Sequence, residues 1–371
     1  MRALRVVFVV QGEGRGHMTQ ALALASILRD AGHEISRVMI GRSHHRTVPE
    51  YFLDAVGAPV LEFDAPVQVP GHDRRGVSVY RTVGDVVRRS PRFFRSAVTI
   101  AENVEDSDVV INLLDLVTGV SRGLFPGKTP ALAVAHNYLF LHRELVDLPG
   151  PTRHRSAILA YARATATRTD RKVALSFSPM STDPEQRLEV APPLLRPDLD
   201  RLESRDRGYL LAYALNSGYG TALMEWQRTS GAEVHCFVQG GSSALPQSSP
   251  GFHAHDLDGN AFLERLAGCR AYVGSAGFES LCEAHFLGKP ILAVPTEGQF
   301  EQSLNAWDAE RCGIARAGSY DDLDDFWANP TIPDAEQVTK FRAWVARAPE
   351  LLVEAVERTA LRDTNLVGET R

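Results

Sequence analysis

Residues 272–306 read YVGSAGFESLCEAHFLGKPILAVPTEGQFEQSLNA. Ala271 to Val273 ends a short apolar strand, and Gly274-Ser275-Ala276-Gly277 is a tight turn. Phe278 to Phe286 has the apolar spacing of a helix, with Phe278, Leu281, Cys282, Ala284 and Phe286 on one imperfect face. Gly288 stops that helix, and Pro290 stands where a C-terminal breaker belongs. Ile291 to Val294 is an apolar run of buried-strand length, closed by Pro295. Strand, glycine turn, helix and strand in this order predict a parallel α/β sheet.

A glycine turn feeding a helix start offers backbone N–H groups and the positive end of the helix dipole, so it suits an anion. Glu283 follows Gly277 by about one and two-thirds turns, at roughly 3.6 residues per turn. A carboxylate there could accept from sugar hydroxyls of a ligand whose phosphates sit at the helix start. Glu301 and Gln302, after the next strand, would add acceptors and donors. The plain alternative is an ordinary strand–helix–strand unit with solvated acids.

The same segment resembles the nucleotide-sugar-binding motif of GT-B glycosyltransferases of the MurG-like and UDP-glycosyltransferase group. The matching positions are Gly277, Glu283, Gly288, Pro290, Pro295, Glu301, Gln302, Asn305 and Ala306. It departs where many members carry a His ahead of the turn; Ser275 stands near that place. The resemblance implies two Rossmann-like domains facing across a cleft, with the sugar donor held by the C-terminal one. It implies that Ser275, Ala276 and Gly277 meet the diphosphate, Glu283 the ribose, and Glu301 with Gln302 the donor sugar.

At 371 residues the chain is long enough for two domains of ordinary size. A hydrophobic content of 44% and a charged content of 23% are those of a globular protein, and a net charge of −6 argues against a general nucleic-acid binder. The four cysteines, Cys236, Cys269, Cys282 and Cys312, have no metal-ligand spacing and read as reduced, mostly buried thiols. The opening MRALRVVFVVQGEG carries a five-residue apolar run, which reads as a first strand rather than a signal or a span. The expected compartment is the cytoplasm, extending to the inner face of the membrane.

Val6 to Val10 is that strand; Gly12-Glu13-Gly14-Arg15-Gly16-His17 follows, and Met18 to Ala31 reads as a helix stopped by Gly32. A nicotinamide fingerprint would need glycine where His17 stands, and the chain lacks a clear acid closing the second strand. The loop instead resembles the first glycine loop of MurG-like enzymes. By that resemblance Gly16 lies toward the donor, and His17 is the first candidate for the catalytic base. The plain reading of His17 is a helix-start residue bonded to its own turn. Asp108 to Leu114 is a buried parallel strand with Asp115 at its C-terminal end, and Ala131 to Ala135 is another, ending in His136. Asp115 and His136 are alternative bases, or partners that orient His17, or loop residues.

Gly71 to Arg95 holds Arg74, Arg75, Arg81, Arg88, Arg89, Arg92 and Arg95 against two acids, interleaved with Tyr80, Phe93 and Phe94. This cationic, aromatic stretch fits an anionic acceptor or a membrane surface, and equally a solvated helix face. Ala191 to Pro197 is the most proline-dense stretch. The domains expected are 1–190, a linker at 191–198, 199–340, and a C-terminal helical segment, 341–371, that by resemblance returns to the first domain. In the second domain Tyr209 to Leu215 is the first strand. Ser217 and Gly218 in the turn after it resemble a phosphate-facing loop. His255 and Leu257, in the segment Phe252 to Leu257 just before a helix at Ala261 to Ala267, are placed by resemblance near the nucleotide base. Asp321 to Asp325 contains a DxD, but it precedes Phe326-Trp327 as an acidic helix start and reads as no metal site.

These readings converge on a metal-independent, inverting hexosyl- or N-acetylhexosaminyltransferase, with no cofactor beyond its nucleotide-sugar co-substrate. A UDP-sugar donor is favoured by analogy. The acceptor, whether lipid-linked, glycan or small molecule, is left open. A nucleotide-sugar epimerase of the same fold and a non-catalytic sugar-nucleotide-binding protein are the competing expectations.

Overall fold

The computed structural model describes residues 2–12, 15–42, 48–66, 79–214, 217–245 and 249–362. The chain divides into two compact units. The first takes in the described residues up to 66, then 79–196 and those from 344 on; the second takes in 197–343.

In the first unit strands and helices alternate as β1 (Arg5–Val10), α1 (Gly16–Asp30), β2 (Glu34–Arg42), α2 (Glu50–Val56), β3 (Val60–Asp64), α3 (Val79–Val104), β4 (Val109–Leu113), α4 (Leu116–Leu124), β5 (Ala131–Ala135), α5 (Thr152–Thr165), β6 (Arg171–Leu175) and β7 (Leu188–Ala191). The strands form one parallel sheet in the order β3-β2-β1-β4-β5-β6-β7. Helices on both faces explain why β4 and β5 are buried at every residue, and why they read as unbroken apolar runs. β7 was not foreseen: Glu189 interrupts its apolar run, and the ion pair with Arg171 on β6 offsets the cost of taking that carboxylate inside.

The second unit repeats the scheme with β8 (Tyr209–Ala214), α6 (Ser217–Ser230), β9 (Glu233–Val238), β10 (Phe252–His255), α7 (Gly259–Gly268), β11 (Ala271–Gly274), α8 (Phe278–Phe286), β12 (Ile291–Ala293), α9 (Phe300–Arg311), β13 (Arg316–Ala317) and α10 (Leu323–Ala328). Its sheet is also parallel, ordered β10-β9-β8-β11-β12-β13. Val234, Cys236 and Val238 on β9 join Leu210 and Ala212 on β8 in the core of one face. α11 (Ala335–Val345) carries the chain out of this unit, and α12 (Ala348–Ala360) packs on α1 and on β4 to β7 of the first sheet.

The acidic run at 321–325 is a helix start, as its composition implied. Ser319 and Asp322 form a capping box, and Arg316 pairs with Asp322 and Asp325. Residues 88–95 of the arginine-rich stretch lie on α3, where Arg88, Arg92 and Arg95 are exposed and Phe94 is 52% exposed. Arg74 and Arg75, with the side chain of Arg81, fall outside the described residues. Among the described residues no helix is long and apolar enough to cross a membrane. The cysteines are not bonded to one another; Cys236, Cys269 and Cys282 are buried, and Cys312 is half-buried.

Candidate active site

Open parallel sheets bind ligands outside the C-terminal ends of the strands where the strand order reverses. In the second unit the reversal lies between β8 and β11. The chain leaves β8 into α6 and leaves β11 into α8, so both helix starts flank that point. Ser217 and Gly218 form the first turn of α6; the Ser217 side chain is outside the described residues.

The β11–α8 turn is tightly specified. Tyr272 is fully buried, and a Cβ on Gly274 would lie 2.1 Å from its hydroxyl oxygen, so any side chain at 274 must displace that ring. Ser275 is 8% exposed, and the buried Ala276 adopts φ 52°, a left-handed conformation that costs a residue with a Cβ about 1–2 kcal/mol. Asn305, on α9, donates from Nδ2 to the Ala276 carbonyl at 3.1 Å and pins that conformation. Gly277 then caps α8 in extended conformation. Glu283, one and two-thirds turns on, is buried at 2% exposure.

Glu301 is half-buried in the first turn of α9. Gln302 accepts from the Thr296 amide through Oε1 at 2.7 Å, which folds residues 296–299 back onto the helix start. The Glu297 amide donates to the Tyr219 hydroxyl at 3.0 Å, and the Tyr219 ring stacks on Tyr320. The turns after β8 and β12 are thereby bridged beside the one after β11. Among the described residues the buried Asn305 Oδ1 and Thr296 Oγ1 have no hydrogen-bond partner.

His255 closes β10, the edge strand, where its Nε2 lies 2.9 Å from His235 Nδ1 and its ring stacks on Phe237. Leu257 follows, half-buried, ahead of Asp258, whose carboxylate caps α7. The structure thus engages His255 with a second histidine that sequence reading passed over.

In the first unit the order reverses between β1 and β4. A Cβ on Gly12 would lie 1.7 Å from the Gly41 carbonyl oxygen, so only glycine lets the chain leave β1 past the end of β2. α1 begins at Gly16, and His17 sits half-buried in its first turn. His17 Nδ1 lies 3.1 Å from Gln20 Oε1. An amide oxygen only accepts, so Nδ1 carries the proton and Nε2 is the basic nitrogen. Gln20 was missed by sequence reading, although an i, i+3 spacing on one helix face is its signal.

Asp115 caps α4. Its Oδ1 accepts from the Thr118 amide at 2.7 Å and from the Thr118 hydroxyl at 2.8 Å. The preceding Leu114 has φ 59°, and Asn112 braces the turn by accepting from the Asp115 amide while donating to the Asp115 and Thr165 carbonyls. Burial pushes the Asp115 carboxyl up to about 6, with the Thr118 hydrogen bonds acting against it. His136 opens a short 3-10 turn, His136–Leu141. It is buried, donates from Nδ1 to the Leu175 carbonyl at 2.8 Å, and packs edge-on against Phe140 and Phe177.

Solved structures of this architecture are numerous. The chain is similar to CalG4, the calicheamicin glycosyltransferase, at 16% identity and TM-score 0.57, over 98% of this chain and 100% of that one. It is similar to UGT89C1 of Arabidopsis thaliana, solved with UDP-L-rhamnose, at 13% identity and TM-score 0.61, over 98% and 99% of the two chains. It is also similar to MurG of Acinetobacter baumannii at 15% identity and TM-score 0.53, over 95% and 99%. At these identities the likeness establishes the fold, which is the GT-B fold that the resemblance implied. No curated protein matches the chain. The profile of Glycosyl transferase family 1 matches residues 4–329, nearly nine-tenths of the length, and the chain belongs to that family.

Proposed function

We propose that the protein transfers a sugar from a nucleoside diphosphate, with UDP as the favoured carrier, to an acceptor hydroxyl, with inversion and without a metal ion. The observation that carries this reading is the turn at 274–277. It is held in a strained left-handed conformation by Asn305 and placed at the strand-order reversal of the second sheet. Strain of this kind persists where a ligand-binding geometry is worth keeping. The diphosphate meets the helix starts at Ser217-Gly218 and Ser275 to Gly277, Glu283 takes the ribose, and Glu301 with Gln302 takes the sugar.

In the step itself His17 Nε2 removes the acceptor proton, the acceptor oxygen bonds to the anomeric carbon, and the bond to the diphosphate breaks. Gln20 holds the ring with Nε2 basic, and the helix starts stabilise the charge that collects on the departing diphosphate. Asp115, which caps α4, and His136, which donates to the Leu175 carbonyl, are placed behind His17 as alternative bases. The acceptor meets the first unit, where Arg88, Arg92 and Arg95 around Phe94 suit an anionic group.

The test is a thermal-shift panel of UDP, TDP, GDP and ADP with wild type and Glu283→Ala. A nucleotide at about 100 times its Kd adds roughly 2.7 kcal/mol. One base should be preferred and the gain lost in the variant. His17→Ala should keep the shift and lower turnover by about 10²- to 10⁴-fold. No shift with any nucleotide would refute the reading.

A further inference from the structure

β9 reads Glu233-Val-His-Cys-Phe-Val238, and β10 reads Phe252-His-Ala-His255. Side chains two apart on a strand share a face. Val234, Cys236 and Val238 enter the core, so Glu233 and His235 point to the opposite face. The parallel register sets His253 beside His235. Neither strand shows this constellation alone.

We propose that Glu233, His235 and His253 bind one divalent transition metal ion of the zinc class at the edge of the second sheet. Their ligand atoms all lie within 4.8 Å of one another. Glu233 Oε1 is 3.2 Å from His235 Nε2 and 3.6 Å from His253 Nε2. Tetrahedral zinc with bonds of roughly 2.0–2.2 Å holds its ligand atoms about 3.3 Å apart, so the two Glu233 spacings are those of a coordination shell, and His235 and His253 lie within 4.8 Å of each other. Two imidazoles and a carboxylate select zinc, nickel or copper over calcium or magnesium. With three protein ligands, the fourth position falls to solvent.

His255 completes the arrangement as an outer partner. With His235 Nε2 on the ion, its Nδ1 carries the proton and donates to His255 Nε2 at 2.9 Å, the contact that fixes the ring of a metal-bound histidine. Glu233 and His253 are the first and second residues of their strands, whereas the candidate donor turns leave the opposite ends of the sheet. At about 3.3 Å per residue the two rims of β9 are roughly 15 Å apart, so the ion ties the edge strand to its neighbour and takes no part in transfer.

Cobalt(II) titration of the full chain, followed by its visible absorption and by competition with zinc, tests the site. One cobalt per chain is expected, with intense tetrahedral bands, no thiolate charge-transfer band, and displacement by zinc. Glu233→Gln and His253→Ala change half-exposed side chains and leave the fold intact, which far-UV circular dichroism checks. Each should weaken binding by on the order of 100-fold, and His255→Ala by about 10- to 100-fold. Absence of stoichiometric binding in the wild type would overturn the proposal. So would equal affinity in Glu233→Gln and His253→Ala, which would place the ion elsewhere.

Discussion

Replacing Asp115 with asparagine should stabilise the protein above pH 7 and leave it nearly unchanged at pH 4. Asp115 is 1% exposed, and burial raises its carboxyl from 3.8 to about 6. The native state therefore holds this proton more tightly than the unfolded chain does. Its contribution to stability is complete below pH 3.8 and is lost as pH rises through 6. The displacement corresponds to roughly 3 kcal/mol. Asparagine is as good a helix N-cap as aspartate, and its carbonyl can keep both bonds from Thr118. The variant thus lacks only the ionisation cost. Urea unfolding of both proteins between pH 4 and pH 8 measures it: the difference should grow by roughly 2 kcal/mol across that window, most of it between pH 4 and pH 6. Parallel stability profiles would refute the reasoning and show that the folded state accepts the carboxylate as readily as water does. Turnover supplies an independent check, because a cap tolerates asparagine and a catalytic base does not.

Gly274→Ala should lower stability by about 1–3 kcal/mol, since the added methyl strikes the buried Tyr272 hydroxyl oxygen; an unchanged urea midpoint would mean that the Tyr272 ring is free to move. Asn305→Ala should lose about 1–2 kcal/mol and at the same time weaken nucleotide binding in the thermal-shift assay, because Ala276 then loses its brace. Wild-type nucleotide response in that variant would show that the turn holds itself. Glu189→Ala should cost up to about 3–5 kcal/mol by removing the carboxylate paired with Arg171, which is 3% exposed. The Arg171→Leu, Glu189→Leu double variant should recover most of that loss, and equal damage in both would assign the cost to packing instead.

Much of the fold was legible because local rules and tertiary demands agree. The runs at Val6 to Val10, Asp108 to Leu114 and Ala131 to Ala135 have the length and composition of strands buried on both faces, and Gly12 stands where a Cβ would strike the Gly41 backbone. The helix start at Gly277 and the acidic start at 321–325 follow from capping and breaking signals within a few residues of each site. β7 escaped because a charge in a strand reads as exposure, and the partner that neutralises Glu189 lies on another strand, 18 residues away.

The candidate site divides in the same way. Glu283, one and two-thirds helical turns past Gly277, and Glu301 with Gln302, after the next strand, could be singled out because their places along the chain are written in the sequence. That Ala276 takes a left-handed conformation, that Asn305 holds its carbonyl, and that Gln302 is bonded to Thr296 are contacts between separate elements. Asp115 and His136 stood out because both end a strand; that the one caps α4 and the other donates to the Leu175 carbonyl between two aromatic rings is visible only in the fold. Glu233, His235, His253 and His255 are two short alternating segments in sequence and one cluster in space. The sequence by itself determined the parallel α/β scheme and the family motif, because hydrophobic period and turn chemistry act over a few residues. Strand order and register decided which side chains meet, because parallel pairing joins residues that nothing local connects.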